Sequence, residues 1–459
     1  MRQTLAVLSV AQFLIALDYS IIYIALPSVA ADLGLAPSLA QWIISAYAVM
    51  FAGFLVVGGR LTDRIGAKRL FVAAIVFFGV ASAVGGAAAG GGVLLAARGA
   101  QGLGAALLQP AILGLIGTTF PAGPARSRAL AVWGAVGASG LAAGAVLGGL
   151  LTTASWRLTF VINVPLTLLC AAGALVWIRS AAATTAERIP LRGAVLGTGT
   201  VLTLVLGLTL GADRGWQAWP TLVSLALAVV LFAAFVAGER GAPLIEPALR
   251  RVRTLRAGAV ATALYMASVG SEFYLLTLLL QSMKDYDALQ AGLAFVPLAV
   301  LVTAGNGAAG RAVRTYSPRT VLAAGFAFAA AGLLWLALAL HGDSYVRDLL
   351  PGLLLSGFGH GVIYPVMFII GTQDVPARHQ GTAGALLTTS QYLSAAITVA
   401  VLTLVLGPAP DHAAFRTAFL VTAGAAVAGV ALVTRRHARE TAQLGTNSAT
   451  SGPVCPTTG

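Results

Sequence analysis

Charge is scarce in this sequence. Asp, Glu, Lys and Arg make up 9% of its 459 residues, where a soluble domain carries about 25%. A water-facing surface for a chain of this length cannot be built from so little charge, which excludes a soluble globular protein. Lysine is nearly missing: Lys68 and Lys284 are the two present, and neither follows a glycine. The phosphate loop G-x-x-x-x-G-K-[ST] is therefore absent, and ATP is not expected as a partner. Cys170 lies inside an apolar run and Cys455 near the C-terminal end, so a disulfide between them is not expected. H-E-x-x-H, C-x-x-C and G-x-S-x-G do not occur, and no two carboxylates lie close together within the apolar runs. Neither a metal site, nor a cofactor, nor an intramembrane enzyme is expected.

What the chain has instead is apolar sequence, 58% of it, in runs of about 20 residues, the length that crosses a ~30 Å hydrocarbon core. Fourteen spans are expected, near 5–27, 41–60, 70–89, 93–118, 128–152, 157–178, 191–211, 219–238, 255–281, 288–309, 319–340, 348–372, 382–406 and 413–434. Basic residues orient them. With Arg2 on the cytoplasmic side, that side collects twenty-two cations and the other side five, with Arg98 left inside a span. A wrong span count would scramble this asymmetry, so both termini are expected in the cytoplasm. The net charge of +13 then reflects topology and lipid contact rather than nucleic-acid binding. The first run has no small-residue cleavage site and reads as a retained helix. From about 436 the chain is rich in Thr, Ser, Gly and Pro, and a disordered tail is expected over 436–459. Arg far outnumbers Lys, and Ala and Gly abound, a composition associated with GC-rich bacterial genomes.

The turn between the second and third runs reads Gly58-Gly59-Arg60-Leu61-Thr62-Asp63-Arg64-Ile65-Gly66-Ala67-Lys68-Arg69. It resembles the loop signature G-x-x-x-D-r-x-G-r-k of the major facilitator superfamily of secondary transporters. Residues 310–319 repeat the pattern after the tenth run, with Arg314 in the place of Asp63 and Ser317 in that of Gly66, and 121–131 resembles 376–386. Two related halves are expected of this superfamily, rocking around a midplane site. The resemblance implies an all-α polytopic membrane protein with the major facilitator fold. Six-helix bundles would occupy 1–180 and 245–435, with an inserted helix pair in 181–244. Fourteen spans point to the drug:proton antiporter branch. Leu17-Asp18-Tyr19-Ser20-Ile21-Ile22-Tyr23-Ile24-Ala25-Leu26-Pro27 is similar to its first-helix motif l-D-x-T-v-v-n-v-A-L-P. Arg98-Gly99-Ala100-Gln101-Gly102-Leu103-Gly104-Ala105-Ala106 is similar to its fourth-helix motif, and 155–165 to the block opening the sixth helix. The fifth-helix motif g-x-x-x-G-P-x-x-G-G keeps Gly140, Gly144, Gly148 and Gly149 but has Ala145 for the proline. Four-residue glycine spacing favours close helix packing. The missing proline weakens the case for antiport over symport.

Charge within hydrocarbon costs ~2.5–3.5 kcal/mol on insertion scales, so intramembrane ionisable residues are functional candidates. Asp18, Arg98 and Glu272 are the clear cases. Asp18 is either a proton or substrate site or half of a fixed pair with Arg98. Arg98 is either that partner or a snorkelling cation. Glu272 shares a helical face with Tyr265 and Ser268. It would bind a cationic substrate or a second proton, or else face water near the outer rim. His360 and Tyr364 on the twelfth span, and Gln12, Tyr19 and Tyr23 on the first, are candidate substrate contacts or plain packing. Gly59, Asp63, Arg64, Gly66, Lys68 and Arg69 would form a clasp that closes the cytoplasmic ends in one state. The resemblance implies a monomer in the bacterial cytoplasmic membrane that exports amphipathic drugs or antibiotics against protons. The alternatives are a dedicated exporter of one endogenous metabolite and a proton symporter for uptake.

Overall fold

The computed structural model describes residues 1–35, 37–179, 190–239, 243–286, 288–340, 342, 344–407 and 410–450. Residues 180–189 and 240–242, at or within the edges of the expected helix-pair insertion, and residues 451–459 of the expected tail lie outside the described residues. Regular structure among those described is entirely helical. The first half comprises α1 (Arg2–Asp32), α2 (Pro37–Ile65), α3 (Ala67–Gly86), α4 (Gly91–Thr119), α5 (Pro124–Ala154), the short α6 (Leu158–Val161) and α7 (Asn163–Trp177). Next come α8 (Leu191–Arg214) and α9 (Trp219–Gly238). The second half begins with α10 (Pro247–Arg251) and α11 (Arg253–Tyr265). A π-helical turn, Met266–Gly270, joins α11 to α12 (Ser271–Ser282). Then follow α13 (Ala288–Ala294), α14 (Val296–Ala312), α15 (Pro318–Ala339), α16 (Leu350–Thr372), α17 (Gln380–Leu406) and α18 (His412–Thr450).

Thirteen segments among the described residues are long and apolar enough to cross a membrane. The expected span at 128–152 falls within α5, which is 31 residues long. α18 continues to Thr450, past the point where composition suggested a disordered tail. The stretch 433–444 is rich in Ala, Arg, Glu, Gln and Leu, all good helix formers, and these carry the helix onward.

Local sequence explains the joints. Gly66 separates α2 from α3 with φ of 93°, and Gly123 precedes Pro124 of α5 with φ of 97°; both angles favour glycine. Within the first half α1 packs on α5, and α2 and α3 on α4. In the second, α14 and α15 pack on α16, and α11 on α17. The halves meet along α2–α17 and α5–α14. The pair α8–α9 rests on α2 and α17, and most of α9 stays exposed, as suits a lipid-facing helix. The α1–α5 contact depends on the glycine stripe. A Cβ at Gly140 would lie 2.7 Å from the Phe13 carbonyl oxygen, and one at Gly148 3.1 Å from Ile24 Cβ. A Cβ at Gly144 would overlap the Ser20 hydroxyl. Gly149 faces open space and takes no part in the contact.

Candidate functional site

Asp18 sits past the middle of α1 with 1% of its surface exposed. Its carboxylate is saturated with donors. Arg98 donates from Nη1 to Oδ2 at 2.7 Å, while Gln101 and Asn163 donate to Oδ1 at 2.9 and 2.8 Å. Helical spacing places Arg98 and Gln101 together on α4, three residues apart. Asn163 is the first residue of α7. Gln101 also donates to Ser82 of α3 at 2.8 Å, and the Arg98 Nε donates to the Ile43 carbonyl of α2 at 3.3 Å. The guanidinium lies 4.5 Å over the Tyr47 ring, a cation–π contact. Five helices of the first half therefore converge on one acid. The snorkelling alternative for Arg98 does not hold: it is 1% exposed and turned inward. Removing one partner of such a buried pair leaves an uncompensated charge, at a cost of about 3–5 kcal/mol.

Glu272 is the corresponding buried acid of the second half, and its surroundings are barer. It is fully buried, so the reading of a water-facing acid at the rim is overturned. Ser356 of α16 donates to Oε1 at 2.6 Å, and Oε2 has no hydrogen-bond partner. One turn further along α16, His360 Nε2 meets the Tyr265 hydroxyl, and its Nδ1 has no partner. Tyr265 and Glu272 thus both address α16. Ser268 does not join them, because its hydroxyl donates back to Leu264 and Tyr265 of its own helix. The π-helical turn between Tyr265 and Glu272 is a feature often found at functional sites.

Asp63, near the end of α2, is 5% exposed and crosses to the other half. Its Oδ1 accepts the Gly381 N–H at 3.2 Å; its Oδ2 accepts the Thr382 N–H at 3.1 Å and the Thr382 hydroxyl at 2.5 Å. These donors lie in the first turn of α17, where backbone N–H groups are otherwise unsatisfied and the helix dipole favours an anion. Gly59 allows the approach, since a Cβ there would fall 2.6 Å from Ala385 Cβ and 2.9 Å from Thr382 Cα. Three cations of the motif lie apart from this contact. Lys68 donates to the Leu175 carbonyl at 3.2 Å, within the first half, and Arg64 and Arg69 are exposed. The hydrogen bonds described here that cross to the other half end on the Asp63 carboxylate.

The remaining candidates are dispersed. Tyr23 is 47% exposed, and its hydroxyl donates to that of Tyr19 at 3.4 Å. Gln12 lies deeper on α1, beside Gly137 of α5, whose Cβ would be 3.0 Å from Gln12 Cγ. The same turn of α5 carries Trp133, fully buried and stacked on Tyr364 at 5.5 Å. A Cβ at Gly134 would be 3.0 Å from both Tyr364 Cδ1 and Asn306 Oδ1. Trp133 Nε1, Asn306 Oδ1 and Gln12 Oε1 have no hydrogen-bond partner. A buried unsatisfied polar atom costs about 1–3 kcal/mol. Sequence reasoning missed Gln101, Asn163, Ser356, Thr382, Trp133 and Asn306 as site residues. Gln101 and Asn163 stood inside quoted motifs, and their polarity within apolar runs was the available signal.

A family model described as Major Facilitator Superfamily matches residues 8–399. The chain is 36% identical over 411 residues to the cephamycin export protein of Amycolatopsis lactamdurans, covering 86% of this chain and 83% of that one. It is 36% identical over 408 residues to the puromycin resistance protein of Streptomyces alboniger, covering 87% and 81%. Among solved structures, the human organic anion transporter aligns with a TM-score of 0.71 at 17% identity, over 94% of this chain and 99% of that one. At that identity the likeness concerns the fold.

Proposed function

The chain belongs to the Major Facilitator Superfamily, and from that premise we propose that it exports drug-like or antibiotic-like small molecules in exchange for protons. It is a multi-pass membrane transporter and not an enzyme; transporters of this superfamily need no cofactor and draw on an ion gradient. The observation that carries the reading is the Asp18 centre, an acid and a cation buried together in the middle of membrane helices. The two relatives named above, an antibiotic export protein and an antibiotic resistance protein, support export as the direction.

In this reading Asp63 closes the basic end while the other end is open to the outside. A proton arriving at a buried carboxyl neutralises it, loosens the contacts that depended on its charge, and shifts the balance between the two conformations. Substrate enters from the cytoplasmic side once the Asp63 contact parts. Both termini lie in the cytoplasm, the membrane is the bacterial cytoplasmic membrane, and the working unit is a monomer in contact with lipid. A dedicated exporter of one endogenous metabolite is the second reading, favoured by the naming of one relative after cephamycin alone.

Purified protein in liposomes, given an imposed pH gradient and a panel of cationic and neutral compounds, tests the proposal. Accumulation that collapses with the gradient is expected. Movement of several unrelated compounds supports the broad exporter, and movement of one supports the dedicated one. Substrate that binds but is distributed identically with and without the gradient counts against proton coupling.

A further inference from the structure

We propose that Trp133 and Asn306, together with Gln12 and Tyr364, form a substrate subsite for uncharged ring compounds bearing carbonyl or hydroxyl groups. The inference rests on the exporter reading and goes beyond it by naming the chemical class.

Three observations carry it. First, three polar atoms from three helices gather around one turn of α5 without partners: Gln12 Oε1 from α1, Trp133 Nε1 from α5 and Asn306 Oδ1 from α14. Their residues are 6%, 0% and 1% exposed. Most buried polar groups in folded proteins are hydrogen-bonded, and within a membrane the penalty for leaving one unpaired rises. Asn306 Oδ1 lies beside Gly134, the Gln12 side chain lies beside Gly137, and Trp133 is on the same turn, so three unpaired polar side chains border one stretch of α5.

Second, the cluster is divided between the halves. Gln12 and Trp133 belong to the first half, Asn306 and Tyr364 to the second, and α5 meets both α14 and α16 across the boundary between them. Parting this seam uncovers all four residues at once. A ligand bound there touches both halves, so its affinity differs between the conformations, as a transported substrate requires. Gly134 and Gly137 keep the intervening surface of α5 free of side chains.

Third, every group presented is neutral. The indole N–H can only donate, so it calls for a carbonyl or ether oxygen on the ligand. The two amides can turn to donate or accept and so suit a hydroxyl or a carbonyl. Trp133 and Tyr364 stack with 22° between their planes, and Phe368 stands edge-on to Trp133 at 5.2 Å, which gives a wall for a planar ring. The carboxyl of Glu272 is elsewhere. Its partner Ser356 precedes Tyr364 by eight residues on α16, a rise of about 12 Å. Recognition of charge and recognition of neutral rings are therefore assigned to separate places along one helix.

The test uses purified full-length protein in nanodiscs and two probes, an uncharged dihydroxyanthraquinone and the ring cation ethidium. Trp133→Phe keeps an aromatic ring and deletes the N–H. It should weaken equilibrium binding of the dihydroxyanthraquinone about tenfold and leave ethidium binding within about twofold. Asn306→Ala should discriminate in the same direction. Equal losses for both probes would show a structural role and overturn the proposal, as would unchanged binding of the dihydroxyanthraquinone. Failure of both variants to fold would likewise mark the cluster as structural. Wild-type protein that exports ethidium under a pH gradient but does not bind the dihydroxyanthraquinone overturns the subsite and spares the exporter reading. Selective binding without gradient-driven export of either probe does the reverse.

Discussion

Asp18 in the first half and Glu272 in the second are both buried, and they are buried differently. Asp18 is surrounded by a guanidinium and two amides, so both carboxylate oxygens are occupied and its charge is matched. Glu272 has one hydroxyl donor, a second oxygen with no hydrogen-bond partner, and no ion pair among the described residues. Burial is the same to within a per cent of exposure, so burial alone does not distinguish them. What differs is the cost of changing charge. Removing the Asp18 charge would strand the Arg98 guanidinium in a buried setting, the expensive outcome for such a pair. Glu272 has no ion-pair partner among the described residues, and an isolated charge in a dry setting is the expensive state, so a bound cation would offset it. The paired acid is suited to driving a conformational change, and the bare acid to accepting a ligand or proton.

Substitutions can break or sharpen that contrast. The largest effect is expected at Asp18. Asp18→Asn should abolish proton-driven export in liposomes at matched protein levels, and active transport with an unchanged pH dependence would refute the driving role. Next is the pair itself. Arg98→Met should lower the unfolding stability of detergent-solubilised protein by about 3–5 kcal/mol, and adding Asp18→Leu should recover much of the loss. A double variant as unstable as the sum of both single ones would mean that the carboxylate and guanidinium act independently.

Glu272→Gln retains an acceptor for Ser356 and should leave folding intact. A carboxylate in a poorly screened cavity attracts cations, so export of a cationic dye should fall while that of a neutral antibiotic persists. A parallel fall in both would assign Glu272 to proton coupling, and wild-type export of both would remove it from the site. Asp63 provides a third carboxylate, one that accepts from two main-chain N–H groups and the Thr382 hydroxyl. Asp63→Asn should slow transport more than it weakens equilibrium binding, since the contact exists in one conformation only. Loss of affinity with a normal rate per occupied carrier would contradict this. The smallest change is expected for Ser356→Ala, which removes one hydrogen bond to an acid and should cost about 1–3 kcal/mol of stability. A null result in the same unfolding assay would show that Glu272 gains nothing from its single donor.

The span pattern was legible in the sequence because hydrocarbon imposes a length and a composition on every crossing. Asp18 and Arg98 were legible as rare charges inside apolar runs, though their mutual distance was not. Eighty residues separate them, and only the α1–α4 packing brings them together. Asp63 was visible as one side of a clasp. Its receiving side was invisible, because two of the donors are backbone N–H groups that any sequence supplies and the third is the hydroxyl of an ordinary threonine. The cations of the same motif drew attention by their charge, yet Arg64 and Arg69 point outward. Trp133 and Asn306 escaped notice because an indole and a carboxamide in apolar helices are ordinary until their neighbours are known.

The Asp63 contact has a consequence for how the transporter can fail genetically. Two of the hydrogen bonds described above draw on main-chain N–H groups, which only a change to proline deletes, and the other on the Thr382 hydroxyl. Damage otherwise comes through Asp63 itself or through bulk that forces the helices apart. A Cβ at Gly381 would sit 2.7 Å from Asp63 Oδ1, and one at Gly59 2.6 Å from Ala385 Cβ. The mutational target is thus small and lopsided. A random screen for carriers that leak should return positions 59, 63 and 381 far more often than the rest of α17.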